Sequence, residues 1–121
     1  MQDAEEAFRK ELDAWLAKGI DCPFVFTEYG CDNLQGEHKL PSVQWSAEYE
    51  LEYLEMYERV FDSYECIKGE QVWNFADFAT CQAISRVQGN KKGIFTRDRR
   101  PKMAAHYFKQ RWENIPDFDY K

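Results

Sequence analysis

The spacing of apolar and polar positions changes along the chain, and each change marks an element. Phe8, Leu12, Trp15 and Leu16 recur at three- and four-residue intervals on a charged background, which predicts an amphipathic helix. Asp3 followed by Glu6 resembles a capping box at its start, and Gly19 fits a C-cap at its end. The run Phe24–Thr27 is short, apolar and β-branched, and predicts a strand buried on both faces. A polar loop with Gly30, Asn33, Gly36 and Pro41 follows. The helical period returns from Ser46, with Tyr53, Tyr57, Val60, Phe61 and Tyr64 on one face and many glutamates on the other. The stretch GEQVWNFADF, Gly69 to Phe78, predicts a second buried strand. Pro101 then fits the first position of a third helix. Its inner face would carry Ala104, Phe108, Trp112 and the aliphatic stem of Arg111. The tail from Asn114 to Lys121 reads as irregular.

The predicted order is helix, strand, helix, strand, helix, an α/β alternation that implies parallel strands with right-handed crossovers. Two parallel strands cannot cover both of their own faces or edges, so residues 1–121 read as one part of a larger α/β domain. At 44% hydrophobic and 17% aromatic residues the chain is not a disordered one. No apolar run approaches the roughly 20 residues that span a bilayer. The acidic start Met1-Gln2-Asp3-Ala4-Glu5-Glu6 is unlike a signal peptide, and a soluble, cytoplasmic protein is expected. Cys22, Cys31, Cys66 and Cys81 form no CxxC pair and have no histidine at ligand spacing. They are expected to be free, buried thiols, and no metal or other cofactor is expected. His38 and His106 are isolated and read as structural or solvent-facing.

Charge changes the picture. Arg86 to Lys102 holds seven basic residues against one acid, Asp98, which leaves the remainder with nine basic and twenty-one acidic residues, a formal −12. That remainder argues against a nucleic-acid partner. The basic segment is then either a solvated loop or a pocket for an anion. Sites in α/β barrels and open sheets form at the C-terminal ends of strands. Glu28 directly follows Phe24–Thr27 and is the catalytic candidate on position alone, with Asp32 and Asp77 as further carboxylates beyond strand ends. Glu70 falls at the opposite, stability-related end. Trp73 and Phe75 are open to two readings, core residues or a sugar-stacking wall.

TEYG at Thr27–Gly30, GEQVWNFADF at Gly69–Phe78 and RVQGNKKGIFTRDRRPK at Arg86–Lys102 together resemble the bacterial β-glucuronidases of glycoside hydrolase family 2, in order along essentially the whole chain. TEYG alone is weak, whereas WNFADF followed by GNKKG is far more specific. The resemblance implies the C-terminal part of a (β/α)8 TIM barrel, with the two strands as its seventh and eighth.

It further implies that Glu28 is the nucleophile of retaining hydrolysis, forming a covalent glycosyl-enzyme that water cleaves. Asn90 and Lys92 match the family's Asn-x-Lys motif for the sugar carboxylate, and Arg86 a basic residue near it. Trp73 matches the tryptophan beneath the sugar ring, which in related barrels is often followed by a cis peptide bond. The implied substrate is a β-D-glucuronide, an anion that accounts for the basic segment, and full-length relatives are commonly homotetramers. One departure stands out: the family's acid/base follows an asparagine, and no Asn-Glu dipeptide occurs here. The chain alone is therefore expected not to turn over. The alternatives are a non-catalytic half-barrel that dimerises and binds acidic sugars, and a related hydrolase with different sugar specificity.

Overall fold

A computed structural model describes residues 1–86 and 88–115, so the expected irregular tail lies outside the described residues from 116 onward. The elements are α1 (Gln2–Leu16), β1 (Phe24–Tyr29), α2 (Ala47–Ser63), β2 (Ile67–Val72) and α3 (Met103–Asn114), the expected order. β1 and β2 form a two-stranded parallel ladder, with Phe24 opposite Ile67, Phe26 opposite Glu70 and Tyr29 opposite Val72. Parallel pairing needs a long crossover, and α2 supplies it.

The core lies between this ladder and the helices. Leu12 of α1, Leu54, Met56, Val60 and Phe61 of α2, and Ala104 and Phe108 of α3 close over Tyr29 and Ile67. The Phe61 ring sits 4.6 Å from Phe26 and 5.1 Å from Tyr29. Each fully buried Leu, Ile, Val, Met or Phe side chain contributes about 1.5–3 kcal/mol. β1 is not buried on both faces as expected: Phe24 and Phe26 pack against the helices, while Val25 is 53% exposed. Among the described residues no second layer covers that side.

Helix boundaries differ from the periodicity in instructive ways. α2 starts where expected, with the Ser46 hydroxyl accepting the Tyr49 N–H at 3.2 Å and donating to the Val43 carbonyl at 2.7 Å. The capping box of α1 does not form: Met1 is the N-cap without a side-chain bond, and Asp3 lies inside the first turn, where its charge suits the helix dipole. α1 ends at Leu16 with Ala17 as C-cap, and Gly19 adopts its left-handed φ of +75° beyond it. α3 starts two residues after Pro101, because Lys102 keeps an extended backbone while its side chain runs into the interior.

The glutamates of α2 are not all on its outer face. Glu50 and Glu58 are buried because each has polar partners inside: Asn33 for the first, and Tyr29, Tyr107 and Arg111 for the second. Arg111 also donates to Glu70 at 2.9 Å and to Asp62 at 3.0 Å, so one guanidinium ties α3 to α2 and β2. Trp112, expected inside, is 46% exposed, and its indole N–H donates to Glu70 at 3.3 Å. The four cysteines are free, but none is buried: Cys22 and Cys81 sit exposed in connecting segments, and Cys31 and Cys66 are half-buried. Among the described residues no helix is long and apolar enough to cross a membrane.

Candidate active site

The end of β1 is irregular in a way that aims Glu28. Between Phe26 and Tyr29 the register with β2 shifts, three residues of β1 spanning two of β2. The extra residue rephases the strand, so Tyr29 turns into the core while Glu28 stays exposed, a use of bulges common beside active sites. Gly30 follows at φ +149°, and a Cβ there would fall 2.4 Å from the Trp73 carbonyl oxygen. Only glycine lets the two strand ends approach so closely.

β2 runs over Ile67–Val72, earlier than the expected Gly69–Phe78. The Trp73 N–H still reaches the Tyr29 carbonyl at 2.8 Å, but β1 then offers no further partner. The Trp73–Asn74 peptide bond is cis, as the resemblance implies. Beyond it the chain pairs instead with the basic segment, Ala76 with Phe95 and Phe78 with Asn90. This pairing folds the basic segment back beside the strand ends.

A cleft of about 280 Å³ results, lined by Glu28, Tyr29, Gly30, Tyr53, Tyr57, Trp73, Arg86 and Lys92. Four of the five residues singled out from the sequence, Glu28, Trp73, Arg86 and Lys92, therefore meet in one place. Trp73 is a cleft wall rather than core, 40% exposed and nearly at right angles to the Phe78 ring. Phe75 is neither: it is exposed, packs on Phe95 at 5.1 Å and lies under Arg99. Asn90 does not line the cleft. It is buried behind the wall, its Oδ1 accepting the Lys92 N–H at 2.9 Å and the Asn74 amide at 3.3 Å. Among the described residues Glu28 is the one carboxylate on the cleft wall.

Sequence reasoning missed several residues here. Tyr53 and Tyr57, assigned to the packing face of α2, border the cleft; burial holds the Tyr53 phenol above its usual range, so it remains a neutral donor. Asp32 forms an ion pair with Lys92, and its other oxygen accepts the Lys91 N–H at 3.1 Å. Beneath lies a buried network. The Lys102 ammonium donates to Asp77 at 2.8 Å, to the Asn33 carbonyl at 2.8 Å and to the Lys91 carbonyl at 3.0 Å. Asp77 also accepts the Gly93 N–H at 3.0 Å, so it is a structural carboxylate. Burial pushes Glu50 up to about 7, against the pull of its Asn33 hydrogen bond, and pushes the Cys31 thiol up to about 12. Among the described residues no group of three or more His, Cys, Asp or Glu could hold a metal ion.

The cleft thus joins a glutamate at a parallel strand's C-terminal end, a tryptophan wall and a cation, at the edge where sites of α/β barrels form. The chain matches the glycosyl hydrolases family 2, TIM barrel domain, over residues 1–116, and it belongs to that family. It is 46% identical over 121 residues to a β-glucuronidase of Streptococcus agalactiae, covering 100% of this chain and 20% of the relative. A β-glucuronidase of Rattus norvegicus is 47% identical over 107 residues, 87% of this chain and 16% of the relative. Among solved structures, the β-glucuronidase of Ruminococcus gnavus in complex with D-glucuronic acid superposes with a TM-score of 0.88 at 62% identity, over 92% of this chain and 19% of that one. The chain thus spans about a fifth of the length of these relatives, and its two strands and three helices are a part of the barrel.

Proposed function

We propose that this chain is the nucleophile-bearing part of a β-glucuronidase, which hydrolyses β-D-glucuronides with retention. The observation that carries the reading is that Glu28 and Lys92 line the same cleft at the strand ends, in a chain of this family. Glu28 attacks the anomeric carbon, the glycosidic bond breaks, and a covalent glycosyl-enzyme forms that water later cleaves. Trp73 lies beneath the sugar ring. Lys92 supplies charge to the C6 carboxylate, with Arg86 nearby, while Asn90, behind the wall, backs the clamp by accepting the Lys92 N–H.

Retaining hydrolysis needs a second carboxyl group roughly 5–5.5 Å from the nucleophile. No other carboxylate borders the cleft among the described residues, and the Asn-Glu pair of the family's acid/base does not occur in the sequence; on this reading the acid/base is supplied from elsewhere in the full-length protein and the isolated chain does not turn over. No cofactor takes part. The full-length protein acts in the cytoplasm as a homo-oligomer, a tetramer.

The test is turnover of a chromogenic β-D-glucuronide by the full-length protein. Glu28→Gln is expected to lower kcat by at least about a thousandfold. Alanine at both Asn90 and Lys92 should depress glucuronide turnover far more than galactoside turnover. Equal losses on the two sugars would remove the carboxylate clamp from this reading, and hydrolysis by the isolated chain that vanishes in Glu28→Gln would overturn the missing acid/base.

A further inference from the structure

Lys92 belongs to two cavities. One is the Glu28 cleft; the other is lined by Cys31, Asp32, Gln44, Trp45, Tyr49, Tyr53 and Lys92. Asp32 borders only the second, and it is from there that its carboxylate pairs with the ammonium. We propose that Asp32 is a positioning residue for the sugar carboxylate, holding the Lys92 ammonium from behind while leaving it open to the cleft. The inference rests on the reading of Lys92 as part of the clamp.

The chemistry permits both contacts at once. An ammonium has three donors, and Asp32 takes one of them. Lysine carries its charge on a flexible four-carbon stem, whose freedom would otherwise be lost when a substrate anion binds. Fixing that stem beforehand lowers the cost of binding. Asp32 is itself fixed: its second oxygen accepts the Lys91 N–H at 3.1 Å, and the next residue's N–H donates to the Lys91 carbonyl at 3.0 Å. Asp32 lies four residues beyond Glu28, so the same contacts set the clamp's place relative to the nucleophile. The pair also keeps a part-buried cation compensated when the cleft is empty, with side-chain exposures of 23% for Lys92 and 13% for Asp32.

The experiment uses the full-length protein, a chromogenic β-D-glucuronide, and D-glucuronate and neutral D-glucose as competitive inhibitors. Asp32→Asn keeps an acceptor for the Lys91 N–H and removes the charge. It is expected to raise KM about tenfold and weaken D-glucuronate about tenfold, with kcat within twofold and D-glucose unchanged. Asp32→Glu keeps the charge on a longer arm, and KM should rise about threefold. An unchanged KM in either variant overturns the inference, as does an equal loss of D-glucose and D-glucuronate affinity, which marks a merely structural residue. The longer-arm variant decides the matter if Asp32→Asn does not fold. Lys92→Ala separates the two levels: if it leaves D-glucuronate affinity unaltered, the clamp reading itself fails, whereas a strong effect there with none at Asp32 sinks only the positioning role.

Discussion

Lys92 and Lys102 sit ten residues apart in the same basic segment, each paired with an aspartate, and they do opposite jobs. Lys102 has a fully buried side chain and spends all of its ammonium on Asp77 and two carbonyls. Lys92 is part-exposed at a cleft and gives one contact to Asp32. A buried pair of the first kind is costly to break, because one removed partner leaves an uncompensated charge in a low-dielectric interior. A part-buried pair of the second kind keeps some contact with water, so breaking it costs less. Depth, not residue type or local charge, decides which lysine is spent inside the fold and which one stays part-exposed at a cleft.

Three measurements would break or sharpen that contrast. Lys102→Met strands the Asp77 carboxylate, and a loss of about 3–5 kcal/mol is expected from the denaturation midpoint of the full-length protein. Asp77→Leu added to it should recover much of that loss, since no charge then remains buried. A wild-type-like midpoint in Lys102→Met would mean that the network is not closed.

The next effect concerns Glu50 in the same buried layer. Its folded-state value of about 7 exceeds the unfolded one near 4.5, so the folded chain binds more protons across that interval. Stability is then full below about pH 4.5 and falls as pH rises through about 7, by about 3 kcal/mol at most. Glu50→Gln should flatten this decline in melts taken from pH 5 to 8; a slope that survives the substitution assigns it elsewhere, with Glu58, also pushed up to about 7 by burial, as the next group to replace. The smallest effect is that of Lys92→Met on the same midpoint, expected below that of Lys102→Met because Asp32 keeps the Lys91 N–H and some contact with water. A loss there as large as that of Lys102→Met would erase the distinction between the two lysines.

Much of the framework was legible from periodicity, because the elements are set by neighbours three or four residues apart, or two. Ser46 capped its helix, and the order of elements held. The grouping of Glu28, Trp73, Arg86 and Lys92 followed from strand-end position together with the motifs. What stayed hidden depends on residues far apart in sequence: Lys102 reaches Asn33 across 69 positions, and Lys92 reaches Asp32 across 60. The same remoteness concealed why α3 starts late and why Glu50 and Glu58 point inward. The one-residue rephasing of β1 left no trace either, since FVFTEY reads equally well as an unbroken strand.

The Lys102 ammonium is bonded at once to the loop after β1, through Asn33, and to the chain after β2, through Asp77 and Lys91. These two stretches are therefore tied together by one side chain. If Asn90 and Lys92 act as proposed, transplanting them alone would import the charge without the contacts that support it. On the proposed function, a transplant of the clamp would have to extend from the loop after β1 to Lys102 at the foot of the last helix.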